Sequence, residues 1–336
     1  MSSSNREASY VALQRSGALE AKARDAWSLA ERCRLCPRIC GARRVEGQLG
    51  RCGGGLLARV AYHGLHFGEE PPINGRGGAG TVFFSGCSLR CSYCQNYQIS
   101  HQNIGKDFDA GALAATFLEL QDKGAHNIDL VTPTHYLPQI LDALSRAAGL
   151  GLRIPLAYNT SGYETVETLR LLDGVVDIYL ADMKYGRGED AEKLSCAPDY
   201  VEVNQRAVLE MHRQVGALKL TEDGVAFRGI LIRHLVLPQD LGGTREVLRF
   251  IAEKLDRHVP VSLMSQYRPA YRAGETPAMA RRITPRQYAA ALRLLNRMGL
   301  ERAYVQRLSS VETGFPDFTR PDPFDWPSER PSGASE

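Results

Sequence analysis

From residue 80 onward, short apolar runs alternate with stretches of helical period, and this alternation limits the possible folds more than any other feature of the chain. Strands are expected at about 80–86, 127–132, 154–159, 177–182, 228–237, 260–266 and 302–307. Helical patterns lie between them, as in AGALAATFLELQDKG (110–124) and TPRQYAAALRLLNRMG (284–299). In the latter, Thr284 followed by Pro285 supplies a cap and a first-turn residue. Strand–helix alternation of this kind implies a parallel sheet. Six or seven such units suit an open (β/α) barrel better than a doubly wound sheet.

Polar or reactive residues follow the apolar strands. Cys87 follows the first, Thr132, Thr134 and His135 the second, and Asn159 and Thr160 the third. Asp182 and Lys184 follow the fourth strand, and Ser265 and Gln266 the sixth. In parallel barrels the active site lies at the carboxyl ends of the strands.

Before residue 80 the texture differs. Residues 5–32 read as helix, and residues 33–78 are rich in Cys, Gly and Arg with little periodicity. EEPPINGRGGAG (69–80) reads as a loop or linker. The tail PDPFDWPSERPSGASE is rich in Pro and Ser and is expected to be disordered at its end. The expected organisation is a small N-terminal helix and four-cysteine domain (1–78), a barrel (79–312) and a tail (313–336).

The chain has 336 residues, enough for one barrel-sized domain and an appendage. Its net charge of +3 argues neither for a nucleic-acid binder nor for a polybasic membrane protein. No run approaches the ~18 apolar residues of a membrane span, and MSSSNREASY lacks the apolar core of a signal peptide. A cytoplasmic, thiol-reducing location is expected, where 8 cysteines serve as metal ligands or reactive groups rather than disulfides. Seven of the 8 fall between residues 33 and 94, and only Cys196 is remote.

Cys87, Cys91 and Cys94 are spaced C-x3-C-x2-C directly after the first barrel strand. Structural zinc takes four ligands, and an iron–sulfur cube has four corners. Three cysteines on one loop leave one coordination position open for a small molecule. A fourth ligand from elsewhere, Cys196 or a histidine, would instead close a zinc site or a fully ligated cluster. Ordinary buried thiols are the third reading.

GCSLRCSYCQN resembles the signature of the radical S-adenosylmethionine (SAM) enzymes, and the chain is similar to their pyruvate formate-lyase activating enzyme-like group. The matching stretches are CRLCPRIC, ARVAYHGLHFGEEPPINGRGGAGTVFFSGCSLRCSYCQNYQIS, VTPTHYLPQI, YNTSGYE, YLADMKY and RHLVLP, which span much of residues 33–238. The resemblance implies a partial (β/α)6 barrel, with a [4Fe-4S] cluster on Cys87, Cys91 and Cys94 whose open iron chelates the methionine part of SAM. It implies reductive cleavage of SAM to a 5′-deoxyadenosyl radical that abstracts hydrogen from a substrate. That substrate is a glycine of a partner protein in the activase reading, and a peptide, an RNA or a small metabolite in the alternative. A metal-binding scaffold without turnover is the reading from outside enzymology. An electron donor such as flavodoxin or ferredoxin is implied as well.

The resemblance also assigns SAM contacts. Tyr93 would lie near the adenine. VTPTH (131–135) replaces the family's Gly-Gly-Glu-Pro stretch, so that Thr132 and Thr134 stand in for its contacts; His135 reads equally as a helix-start residue. Asn159 is placed near the ribose, and Asp182 and Lys184 orient SAM or pair with each other. Arg233, a charge in the apolar strand GILIRHLVLP, calls for a carboxylate, either that of SAM or that of Asp182. His234 points the other way by strand alternation and reads as structural.

Cys33, Cys36, Cys40 and Cys52 form a second set, C-x2-C-x3-C-x11-C, able to close a tetrahedral site with zinc or an auxiliary iron–sulfur cluster. Six arginines between 32 and 51, against Glu46 alone, would stabilise thiolate charge. No interleaved aromatics accompany them, which sets a nucleic-acid reading aside.

Overall fold

The computed structural model describes residues 7–306, 308 and 315–325. The strands are β1 Ala58–His66, β2 Ala79–Phe84, β3 Lys106–Phe108, β4 Ile128–Val131, β5 Leu156–Thr160, β6 Ile178–Asp182, β7 Lys219–Leu220, β8 Ala226–Leu235, β9 Val261–Met264 and β10 Ala303–Val305. They form a mixed α/β structure with a largely parallel sheet in the order β10-β9-β8-β6-β5-β4-β2-β1-β3. Every neighbouring pair from β2 to β10 is parallel. β1 runs antiparallel to β2, β3 antiparallel to β1, and the short β7 pairs with β8.

The seven parallel strands lie side by side in chain order. Each crossover therefore turns the same way, which puts the connecting helices on one face of the sheet. That face is apolar because alternate strand residues meet the helices: Val82 and Phe84, Ile128 and Leu130, Ile230 and Ile232 are all fully buried there. Each such aliphatic or aromatic side chain contributes about 1.5–3 kcal/mol by leaving water. The other face is closed at the strands' amino ends by a smaller apolar cluster of Ile73, Ala157, Ile178, Leu180, Leu218 and Leu231. Towards the carboxyl ends it carries Asn159, Asp182, Arg233 and Ser262.

Helix Pro285–Arg297 starts as its sequence requires: Thr284 accepts from the Gln287 backbone N–H, and the Gln287 side chain returns to the Thr284 N–H. The segment expected as one N-terminal helix is two, Ser9–Arg15 and Ala18–Glu31, because Gly17 between them takes φ +74°. Both pack onto helix Leu137–Gly149; Trp27 Nε1 donates to Asp142 at 2.7 Å and Ser145 Oγ to Gln14 at 2.8 Å.

Two expectations need revision. The boundary expected at residue 78 falls between β1 and β2, which are paired, and Tyr10, Leu19 and Leu35 belong to the same core as the sheet. The stretch 69–80 is no linker. Pro71–Asn74 forms a helical turn that sets Ile73 into the smaller core, and Asn74 Nδ2 ties the loop through Phe67 O at 2.8 Å and Glu69 O at 2.7 Å. Of the tail, residues 313, 314 and 326–336 lie outside the described residues. Phe318 and Phe324 pack on Phe83 at ring separations of 5.5 and 5.3 Å.

Candidate active site

The three-cysteine loop leaves the carboxyl end of β2 under tight backbone control. Gly86 has φ +85°, and a Cβ there would meet the Cys52 carbonyl oxygen at 2.4 Å, so only glycine fits. Cys87 N–H donates to that same Cys52 oxygen at 3.2 Å. Arg90, at φ +54°, turns its N–H towards Cys87 Sγ at 3.5 Å. Ser100 Oγ donates to Cys94 Sγ at 3.2 Å, and His101 Nε2 contacts the Cys91 carbonyl at 3.1 Å.

The thiols converge. Burial first, and then the charge of Cys91, push Cys87 up to about 12 and Cys94 up to about 11. The Lys184 ammonium lies in the field of Cys91 and Cys94 and donates to Asp182 Oδ2 at 2.5 Å. Among the described residues no three His, Cys, Asp or Glu side chains are grouped to hold a single metal ion. A cube spreads its ligands over separate irons, so three thiols gathered on one loop fit three corners of such a cluster.

Tyr93 sits against this centre, 7% exposed, edge-on to Tyr185 and Tyr267 at 6.4 and 6.0 Å. Tyr185 in turn meets Tyr200 at 5.2 Å, and Tyr200 accepts from the Lys184 N–H at 2.9 Å. Buried tyrosines thus pack around both the cysteine loop and the Asp182–Lys184 pair.

The remaining candidates separate into two groups. Thr132 takes φ +57° and its N–H donates to Asn159 O at 2.9 Å, which opens β4 into the next turn. Thr134 is turned to the helix side. Its hydroxyl donates to Glu164 at 2.9 Å and accepts from Tyr158 at 3.1 Å, so it is committed to the core rather than free for a ligand. His234 contacts Met183 O at 2.7 Å and Thr244 Oγ1 at 3.0 Å, a structural role.

Arg233 differs from expectation. Its carboxylate partners are Glu69 and Glu70, with Glu70 accepting at 3.0 and 3.1 Å from Nε, while Asp182 is engaged by Lys184. Arg233 Nη1 also donates to Asn159 Oδ1 at 3.1 Å, and Asn159 Nδ2 reaches Asp129 Oδ2 at 3.5 Å. Asp129 is fully buried, and burial together with the Glu69 charge raises its carboxyl well above the ordinary range. Sequence reasoning missed Glu69, Glu70 and Asp129. An acid inside the apolar run NIDLV, and two acids directly ahead of Pro71, were the available signals.

The second cysteine set lies against the first. The Cys33 thiol hydrogen-bonds Cys40, Cys36 stands in the field of the other three, and a Cβ on Gly50 would lie 3.3 Å from Cys52 Sγ and 3.6 Å from Cys40 Sγ. Arg44, completely buried, donates to the His135 carbonyl and to Gly55 O at 2.7 Å, and it also hydrogen-bonds Cys33. Arg38 donates to Ser88 O at 3.0 Å and Ser195 O at 2.9 Å, clasping the three-cysteine loop. His135 lies between the sets. Its Nε2 meets Ser85 O at 2.8 Å, and burial lowers its pKa to about 4, so Nε2 donates as a neutral ring.

Residues 73–184 match the 4Fe-4S single cluster domain family. The chain is 32% identical over 295 residues to the uncharacterized protein MJ0674 of Methanocaldococcus jannaschii, across 85% of this chain and 80% of that one. It belongs to the same family as that protein. A radical SAM methyltransferase from Sphaerobacter thermophilus superposes with a TM-score of 0.45 at 18% identity, over 68% of this chain and 66% of that one, just under two thirds of its length.

Proposed function

We propose that this protein is a radical SAM enzyme. The observation that carries the reading is the convergence of Cys87, Cys91 and Cys94 on one loop at the carboxyl end of a parallel strand, beside the Lys184–Asp182 pair from another strand end. A [4Fe-4S] cluster on these thiolates, with SAM at the open corner, would supply one-electron reductive cleavage of SAM for hydrogen abstraction. The chain's residues do the positioning. Cys87, Cys91 and Cys94 would hold three corners, and the loop carries no fourth cysteine for the last, which would take the ligand. Lys184 lowers the cost of gathering negative sulfur in a buried place. Tyr93, Tyr185 and Tyr200 exclude water around it. Asn159, Asp182 and the backbone at Thr132 line the neighbouring strand ends and are the SAM contacts in this reading. Eight free cysteines suit the reducing cytoplasm.

The test is anaerobic. After reconstitution with iron and sulfide, dithionite reduction and addition of SAM, wild type should form 5′-deoxyadenosine. Cys91→Ala should lose at least ~10³-fold of that product, the scale of removing an essential catalytic group. A reducible cluster in wild type that yields no product would overturn the proposal in favour of a scaffold.

The family resemblance further supports a glycine of a partner protein as the hydrogen donor. A glycyl radical seen by electron paramagnetic resonance (EPR) on a captured partner would establish it. Deoxyadenosine formation coupled to a peptide, RNA or metabolite would replace it.

A further inference from the structure

We propose that residues 315–325 plug the entrance to the reaction site and mark the docking groove of its substrate, a looped segment of a partner protein that presents two adjacent aromatic side chains and displaces the plug. The proposal rests on the reading above in which the hydrogen donor belongs to a partner protein.

The first argument is where a substrate can enter. Helices cover one face of the sheet, and the cluster around Ile73, Leu180 and Leu231 closes the other face at the strands' amino ends. What is left is the carboxyl-end part of that second face, which carries Asn159, Asp182 and Arg233. Phe83 and Val131 border it. They alternate with Val82, Phe84 and Leu130 of the helix side, so they face away from the helices. Val131 pairs with Phe83 on one side and with Asn159 on the other.

The second argument is what covers this border. Phe318, 4% exposed, packs on Phe83 together with Ile99, which directly precedes the Ser100 that donates to Cys94. Phe324 lies 5.3 Å from Phe83, 5.6 Å from Tyr62 and 4.3 Å from His66. His66 in turn stands in the field of Glu69 and Arg233. On the other side of the parallel sheet, the Arg268 guanidinium lies over the Phe315 ring at 4.7 Å, just past the end of β9. Residues 315–325 therefore reach from the end of β9 to β1 and β2, across the open face.

The third argument is that the segment is built to lift away as a unit. It adds no strand to the sheet, and it closes on itself. Asp317 N–H donates to Pro323 O at 3.0 Å, Arg320 pairs with Asp317 at 3.2 Å, and the rings of Phe318 and Phe324 are 6.1 Å apart. Gln98 ties this loop to the cysteine-bearing region, accepting from Phe318 N–H at 2.8 Å and donating to Asp317 at 3.1 Å. Its departure uncovers an apolar bed of Phe83, Ile99, Val131 and Tyr62 beside a side-chain amide that both donates and accepts. A polypeptide loop with paired aromatics and a neighbouring acid satisfies every one of those groups, and residues 315–325 are such a loop held in place by their own chain.

The test uses a fluorescein-labelled peptide of residues 315–325, read by anisotropy against the reconstituted full chain. The double variant Phe318→Ala, Phe324→Ala empties the bed. It should bind the peptide at least ~10-fold more tightly than wild type, whose own segment competes at the ~mM effective concentration of a tether. A peptide carrying the same two substitutions should bind neither chain. Equal binding to wild type and variant, or none to the folded variant, overturns the proposal. Access is read by removal of iron with bathophenanthroline disulfonate. Removal should be ~10-fold faster in the variant and return to the wild-type rate with saturating peptide. An unchanged rate overturns the plug. Should the variant fail to fold, hydrogen exchange in wild type decides. The hydrogen-bonded amides of Asp317 and Phe318 should exchange ~10²-fold faster than those of β4 and β5, and exchange as slow as those strands overturns the proposal. Deoxyadenosine formation coupled to a metabolite would sink the protein-substrate reading instead, while the anisotropy still decides whether the groove takes this loop.

Discussion

Residues 33–52 and residues 87–94 both gather thiols, but they are held by different forces. The 87–94 loop hangs from β2, whose residues are buried along its whole length, so a hydrophobic core fixes where it begins. The 33–52 segment has no strand and one 3₁₀ turn, Arg44–Glu46. Its shape depends on two arginines: Arg44 inward to His135 and Gly55, and Arg38 across to the other loop. A loop anchored by a core tolerates change in its own side chains. A segment anchored by buried cations depends on a few polar contacts, because each lost donor leaves buried acceptors without partners.

The largest effect that would sharpen this contrast is Arg44→Met. Loss of the guanidinium strands the His135 and Gly55 carbonyls in a buried place, and the metal-free chain should lose about 3 kcal/mol in urea unfolding. Cys91→Ala, which removes one sulfur from the core-anchored loop, should cost about 1 kcal/mol or less in the same assay. Equal losses would break the comparison.

Next in size is a pH effect that separates the two regions. Glu164 belongs to the parallel-sheet region, where burial raises its carboxyl from 4.5 to about 7. Between those values the folded chain binds more protons than the unfolded one. Stability attributable to Glu164 is therefore present at low pH and is lost as pH rises from 4.5 through 7, by at most ~3 kcal/mol. His135 touches both cysteine regions and works in the opposite sense. Burial lowers it from 6.5 to about 4, so its contribution is present above 6.5 and is lost as pH falls towards 4. In Glu164→Gln the decline between pH 5 and 7 should vanish while the acid-side loss remains. A variant whose stability tracks wild type at every pH would show that Glu164 is not the buried acid responsible.

The sequence made the parallel strands legible because they are short, apolar and separated by helical periods. All seven expected runs coincide with strands of the parallel sheet. The cysteine spacing was legible because it is local. What could not be read was contact between distant polar residues. Arg233 announced a need for a carboxylate, but Asp182 was the nearer candidate in sequence logic, and the loop carrying Glu69 and Glu70 resembled a glycine linker. Thr134 was misjudged for the same reason: its place after β4 was visible, and its orientation towards Glu164 was not. β1 and the N-terminal helices joined the main core because strand pairing and helix packing ignore compositional boundaries.

The smallest expected effect tests how each region tunes its sulfurs. In the 33–52 segment the donor to Cys52 Sγ is the Gly54 backbone N–H at 3.4 Å, which substitution cannot remove. In the 87–94 loop the donor to Cys94 Sγ is the Ser100 hydroxyl at 3.2 Å, which it can. A hydrogen bond to a cluster sulfur favours the reduced, more negative state. Ser100→Ala should therefore leave thermal stability within about 0.5 kcal/mol of wild type, as one weak side-chain contact implies, yet lower the midpoint potential of the centre on Cys87, Cys91 and Cys94. Redox titration followed by EPR reads this directly. A potential that does not move would mean the serine acts only through packing, and that both regions leave the tuning of their sulfurs to the backbone.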